Sequence, residues 1–264
     1  MSFAAQKYRG APLFGTLSEI LTEAQASLVA MTGGGGKSSL LYGLGAALCA
    51  ACPVLLTTTT KIFKPKPEEC ANVVVGPLCF ACELLRNTRR PAMIAAAAAA
   101  AGEKLVGYEP EELSAIKALQ DERLVIAECD GSRGRSVKHY ESWEPPVPQR
   151  TDVLFAVAGA DALFAPVCEA SVFRAVEFCA EHSVAAGGAL SVPLFMKYLT
   201  HENGPLKNAP ASAKKIILIN KCENLPEPRA RELYAAMPAL LEEYDAAAAV
   251  SMKEDKIFLY LSKK

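Results

Sequence analysis

Four glycines, Gly33, Gly34, Gly35 and Gly36, run into Lys37, Ser38 and Ser39, with apolar residues on either side. A strand that ends in glycines and passes into a helix exposes backbone N–H groups at the helix amino terminus. The helix dipole strengthens their pull on an anion. In such a loop Lys37 would reach the β- and γ-phosphates of a nucleotide, and Ser38 would ligate Mg²⁺. The common spacing GxxxxGK[ST] is missed, because its first glycine would fall at Met31. A shorter spacing fits: Gly33-x-x-Gly36-Lys37-Ser38-Ser39.

A second group lies in "LVIAECDGSRGRSVKHY". A buried strand would deliver Glu128 and Asp130 to its carboxyl end, the edge at which open α/β sheets bind ligands. A carboxylate there holds the Mg²⁺ of a phosphate site. Asp130 is expected in that role, with Glu128 orienting a water or a substrate hydroxyl. Arg133, Arg135 and Lys138 follow on a glycine-containing loop and read as an anion clamp. Lys37, Glu128, Asp130, Arg133 and Arg135 are thus the expected catalytic set. "VLLTTTTK" would bring Thr58, Thr59, Thr60 and Lys61 near the phosphates. "IILINKCE" resembles the NKxD base-reading motif of GTPases, with Asn220, Lys221 and, in place of the aspartate, Glu223. Glu223 is one methylene longer, so weak discrimination between ATP and GTP is expected.

These residues need a scaffold. Apolar runs predict strands at Ser27–Met31, Val54–Thr58, Asn72–Val75, Met93–Ala97, Arg123–Glu128, "TDVLFAVAG", Lys215–Asn220 and "KIFLYL". Helices are predicted at Lys37–Cys49, Ala81–Asn87, Glu111–Asp121, Val172–Glu181, Ser191–Leu199 and Pro228–Tyr244. Strands alternating with helices imply a parallel sheet covered on both faces. The expected fold is therefore α/β: a three-layer, P-loop NTPase-like, mostly parallel sheet with helices on both faces, in a single domain over 1–264. Pro145–Pro148 and Gly204–Pro210 read as loops within it.

Composition bounds the partners. At 264 residues, 51% hydrophobic and 22% charged, the chain can build a large core. A net charge of -1 gives no general attraction to nucleic acid or to an anionic membrane. Ser38 to Thr60 is uncharged and long enough to span a bilayer. Pro53 and the threonine run favour a buried helix followed by a buried strand instead. The opening "MSFAAQKYRG" does not read as a signal peptide, so a cytoplasmic location is expected. Nine cysteines, an odd number, fit a reducing compartment. The pairs Cys49/Cys52 and Cys79/Cys82 have CxxC spacing but read as small apolar residues in alanine-rich segments. His139, His182 and His201 show no metal-ligand spacing and read as surface or structural residues.

The loop spacing is similar to that of the Mur-ligase nucleotide loop. More specifically, "TGGGGKSSLL", "LLTTTTKI", "KLVGY", "AECDGSRGRSVK", "EPPVP", "GADAL", "HENGPLKNAP" and "LINKCE" occur in the order seen in the YqeC family, and the chain resembles that family from about Leu28 to Glu223. The resemblance implies an accessory role in maturing selenium-dependent molybdenum hydroxylases. Its expected cofactors are Mg²⁺ with ATP or GTP. A small anionic or molybdenum-cofactor-type substrate, and an apo-molybdenum hydroxylase, would be the partners. Three positions depart from the family's usual residues: Ser38 replaces Thr, Ser136 replaces Pro, and Phe173-Arg174 replaces a His-Arg pair.

Overall fold

The computed structural model describes residues 8–88, 92–117 and 124–263. Its first half holds α1 (Leu13–Glu23), β1 (Leu28–Gly33), α2 (Lys37–Leu48), β2 (Val54–Thr58), β3 (Lys61–Phe63), β4 (Val73–Val75), α3 (Leu78–Asn87), β5 (Met93–Ala97), β6 (Ala99–Ala101), β7 (Lys104–Val106), α4 (Pro110–Ile116) and β8 (Leu124–Glu128). There follow β9 (Val137–Lys138), β10 (Val153–Gly159), β11 (Val172–Phe173), α5 (Ala175–His182), α6 (Val192–Leu199), β12 (Lys214–Asn220), α7 (Glu227–Ala236), β13 (Ala246–Ser251) and β14 (Lys256–Ser262).

One sheet of nine strands, ordered β14-β13-β12-β10-β1-β8-β2-β5-β4, dominates the molecule. Its pairings are parallel except that of β13 with β14. Every residue of β1, β2, β8 and β10 is buried, as strands covered on both faces require. Side chains alternate between the two faces. Val29, Met31, Leu56, Ile126 and Phe155 pack with Leu17 of α1 and Leu41 of α2. Leu28, Ala30, Leu55 and Val125 turn the other way, onto Leu85 of α3 and Leu113 of α4. Further along that face, Ala158 and Ile219 meet Phe178 of α5 and Phe195 of α6. The fold is mixed α/β, a mostly parallel sheet flanked by helices on both faces. The chain leaves β1 toward β2 on one side, returns to β8, and then crosses to β10 on the other. The β1 loop therefore lies where the strand order reverses.

Several expected boundaries change. The helix predicted over Val172–Glu181 divides. Val172 and Phe173 pair with Val137 and Lys138, and Arg174 turns left-handed at φ 60° before α5 begins. The helix predicted over Pro228–Tyr244 ends at Ala236 and continues as a 3-10 segment, Met237–Glu242. Pro238 has no N–H to extend the α-helical ladder. The final part of the Glu111–Asp121 helix, 118–121, and position 123 of the β8 prediction lie outside the described residues. Ser38–Thr60 divides into α2 and β2, and among the described residues no helix is long and apolar enough to cross a membrane.

Candidate functional site

Each glycine of the loop lies against another element. The Gly33 N–H donates to Asp130 Oδ2 at 2.9 Å, Gly34 to the Val157 carbonyl at 2.8 Å and Gly35 to the Arg135 carbonyl at 3.1 Å. The sequence reading offered all four glycines to a ligand; three of those donors are in fact spent inside the protein. The N–H groups of Gly36, Lys37, Ser38 and Ser39 bond to none of the described residues. These four open donors form the start of α2, where the dipole adds positive potential. Glycine is required for two distinct reasons. Gly36 holds φ 144°, and a Cβ at Gly34 would stand 2.3 Å from the Arg135 carbonyl oxygen.

Beneath the loop lies a buried charge cluster. Lys37 Nζ sits 2.9 Å from Asp130 Oδ1 and 3.7 Å from Glu128 Oε1, and it donates to the Gly33 carbonyl. Burial opposes the charge on Lys37, but the Asp130 and Glu128 carboxylates outweigh it and hold the ammonium above its ordinary pKa. Burial also pushes the Glu128 carboxyl up, against the pull of Lys37 and of the Ser38 hydroxyl, and Asp130 adds to the rise. Ser38 Oγ donates to Glu128 Oε2 at 3.0 Å.

That pairing sets the two acids apart. Glu128 lines the cavity above the loop, whereas Asp130 is fully buried beneath it, tied to Gly33 and Lys37. Lys138 also leaves the expected anion clamp. It is fully buried, donates to the Gly131 carbonyl and Glu144, and stands 3.8 Å from Asp130. Arg135 turns its guanidinium to the carbonyls of Glu169 and Arg133. Thr59 spends its hydroxyl on the Pro146 carbonyl, and Thr58 on the Glu128 carbonyl. Of the expected cations, Arg133 and Lys61 do face the cavity.

That cavity, of about 360 Å³, runs from Gly36 and Ser38 to Glu128, Lys61 and Arg133. Lys104 and Phe63, which the sequence reading missed, complete the wall; the Lys104 ammonium lies 4.9 Å from the Phe63 ring centre. A second cavity, of about 520 Å³, shares Gly35, Gly36, Ser39 and Lys221 with the first and continues to Asn220, Glu223 and Met252. Asn220 donates to the Gly35 carbonyl at 2.7 Å and accepts from the Met252 N–H at 2.9 Å. Lys221 donates to Asp161 at 2.7 Å and to Ser136 at 2.9 Å. A proline at 136 could not accept that bond. A larger concavity of about 800 Å³ lies by Lys214 and Asp245, at the opposite, amino-terminal edge of the sheet.

The histidines converge on one acid. His139 Nδ1 is 2.9 Å from Glu181 Oε2, His201 Nδ1 is 3.7 Å from Oε1, and His182 Nε2 is 3.9 Å from Oε2. Desolvation lowers the His182 pKa to about 4, and His201 adds to the fall. Among the described residues no group of three or more His, Cys, Asp or Glu could hold a metal ion.

Fold and site together define a class: an α/β protein with a buried charge cluster, Lys37 with Glu128 and Asp130, at the carboxyl edge of a mostly parallel sheet. The chain belongs to the YqeC family, whose profile, described as YqeC protein, matches residues 29–176. It is 28% identical over 214 residues to the uncharacterized protein YqeC of Escherichia coli (strain K12), covering 75% of this chain and 78% of that protein. No solved structure matches it.

Proposed function

We propose that the chain binds a Mg²⁺–nucleoside triphosphate in a P-loop-like site and spends it on chemistry during maturation of selenium-dependent molybdenum hydroxylases. One observation carries the binding half of this reading. Four unpaired N–H groups at the start of α2 open onto the same cavity as Lys37 and the Ser38–Glu128 pair. Backbone donors and a lysine suit phosphate oxygens. Ser38 and Glu128 offer hard oxygens to a Mg²⁺ that keeps most of its waters, and they would hold it in place of Asp130. The metal would neutralise charge developing on the phosphates. Lys61, Lys104 and Arg133 would face the transferred group or an anionic acceptor. The maturation half rests on the family resemblance.

A second reading, nucleotide-gated delivery of a cofactor to an apo-hydroxylase without chemistry on it, draws on a separate observation. Phe63 is 69% exposed at the cavity wall, on the small sheet β3-β7-β6. An exposed aromatic beside the nucleotide suits a docking face whose contacts change with the bound state. Phosphate release from Mg-ATP and Mg-GTP, measured with and without extracted molybdenum cofactor, separates the two. Turnover that needs the cofactor supports chemistry on it, and binding with no turnover supports delivery. Failure of both nucleotides to bind removes both readings.

A further inference from the structure

We infer that the second cavity seats a guanine base, read by Glu223, so the nucleotide is GTP rather than ATP. The inference rests on the proposed triphosphate site and adds the base to it. The cavity opens from the same glycines as the first, so one ligand can place phosphates in one and its base in the other. Its frame is held from several sides. Asn220 ties the glycine loop to the turn after β13, and Lys221 is anchored by Asp161 and Ser136. With its ammonium held, the Lys221 stem is fixed as an apolar surface on which a flat ring can lie.

Within this frame one group is left over. Glu223 lines the cavity from the 3-10 turn Cys222–Asn224, and its Oε2 is sealed from solvent with no hydrogen-bond partner among the described residues. A buried carboxylate oxygen without a donor is costly, and a ligand that brings donors removes the cost. Guanine presents N1–H and an N2 amine side by side, a match for two charge-assisted bonds to one carboxylate. Adenine presents one amine beside the N1 lone pair, which would repel the carboxylate. Glu223, whose extra methylene suggested weak discrimination, already holds its Oε2 away from solvent in this turn.

Competition binding on the full chain tests this, with Mg-GTP, Mg-ATP and Mg-XTP against wild type and Glu223→Gln. Wild type should prefer GTP over ATP by about 10- to 100-fold, the worth of a charged bidentate contact. Glu223→Gln should lose that preference, hold ATP at or above its wild-type affinity as the repulsion at adenine N1 is removed, and bind XTP more tightly than GTP, because its amide can donate to the xanthine 2-oxo group. Retained ATP binding also shows that the variant is folded. Equal affinity of wild type for ATP and GTP, or an undiminished GTP preference in Glu223→Gln, overturns the guanine assignment and leaves the triphosphate site standing. Absence of saturable binding by every triphosphate overturns the site, and this assignment with it.

Discussion

Ser38 Oγ donates to Glu128 Oε2 at 3.0 Å, joining the first turn of α2 to the carboxyl end of β8. Asp130, two residues on, is turned inward instead, accepting the Gly33 N–H and pairing with Lys37. Two acids that look equivalent in the sequence therefore do different work. One faces the cavity and one holds the loop from below.

The division predicts opposite mutant behaviour. Glu128→Gln should cut the Mg²⁺-dependent gain in nucleotide affinity by about 10-fold or more, with affinity in EDTA unchanged. Asp130→Asn should act mainly on folding, costing about 3 kcal/mol, because Lys37 and Lys138 lose a buried counter-charge. Titrations with and without Mg²⁺, paired with urea unfolding, check both. A larger metal effect at Asp130 than at Glu128 would return the metal to Asp130.

Gly34→Ala tests the loop without touching a charge. The added Cβ would meet the Arg135 carbonyl oxygen at 2.3 Å, so the loop or the 135 backbone must shift. A cost of about 1–3 kcal/mol in stability is expected, as for other overpacked sites. Nucleotide affinity should fall with it, since the four open N–H groups begin two residues on, at Gly36. Thermal unfolding unchanged from wild type would show that the loop has slack the structure does not indicate.

The scaffold of the site was largely legible in sequence, and the orientation of its side chains was not. β1, β2, β8, β10 and β12 each carry a continuous apolar run (LVAM, VLL, LVIA, VLFAVAG and IILI), and such runs announce buried parallel strands. β13 was missed because Ala246–Ala249 carries the strongest helix former; its burial between β12 and β14 decides the outcome instead. Helix α1 has no side-chain cap, no acid in its first turn and no base in its last, and was missed too. The sequence also placed Lys138 and Arg135 near the site, but not which way they turn. Lys138 is drawn inward by Glu144, a residue of the proline loop with no earlier role. Its carboxyl meets burial, which raises its pKa, but Arg174 and Lys138 prevail and hold it below the ordinary range. Lys104 lay on a strand whose pairing with β3 could not be read from either segment alone.

His182 sets part of the acid stability. Its pKa falls from 6.5 to about 4 in the fold, with desolvation the leading cause. Between those values the unfolded chain binds more protons, so stability rises with pH. The contribution is complete above about pH 6.5 and is lost as pH falls toward 4, to a total of roughly 3 kcal/mol. His182→Leu should flatten that slope in denaturant titrations run across the window. An identical slope in the variant would show that His182 does not set it.

The most direct test of the triphosphate site is isothermal titration of the chain with Mg-GTP and Mg-ATP, beside Lys37→Met and Lys37→Arg. Lys37→Met keeps the stem and loses the charge; Lys37→Arg keeps a charge between Asp130 and Glu128 and so controls for folding. Wild type should bind one triphosphate per chain, and both variants should lose at least about 100-fold in affinity, some 2.7 kcal/mol, while their circular dichroism stays native. No saturable heat from wild type, or undiminished affinity in a folded Lys37→Met chain, would contradict the glycine loop as a phosphate site.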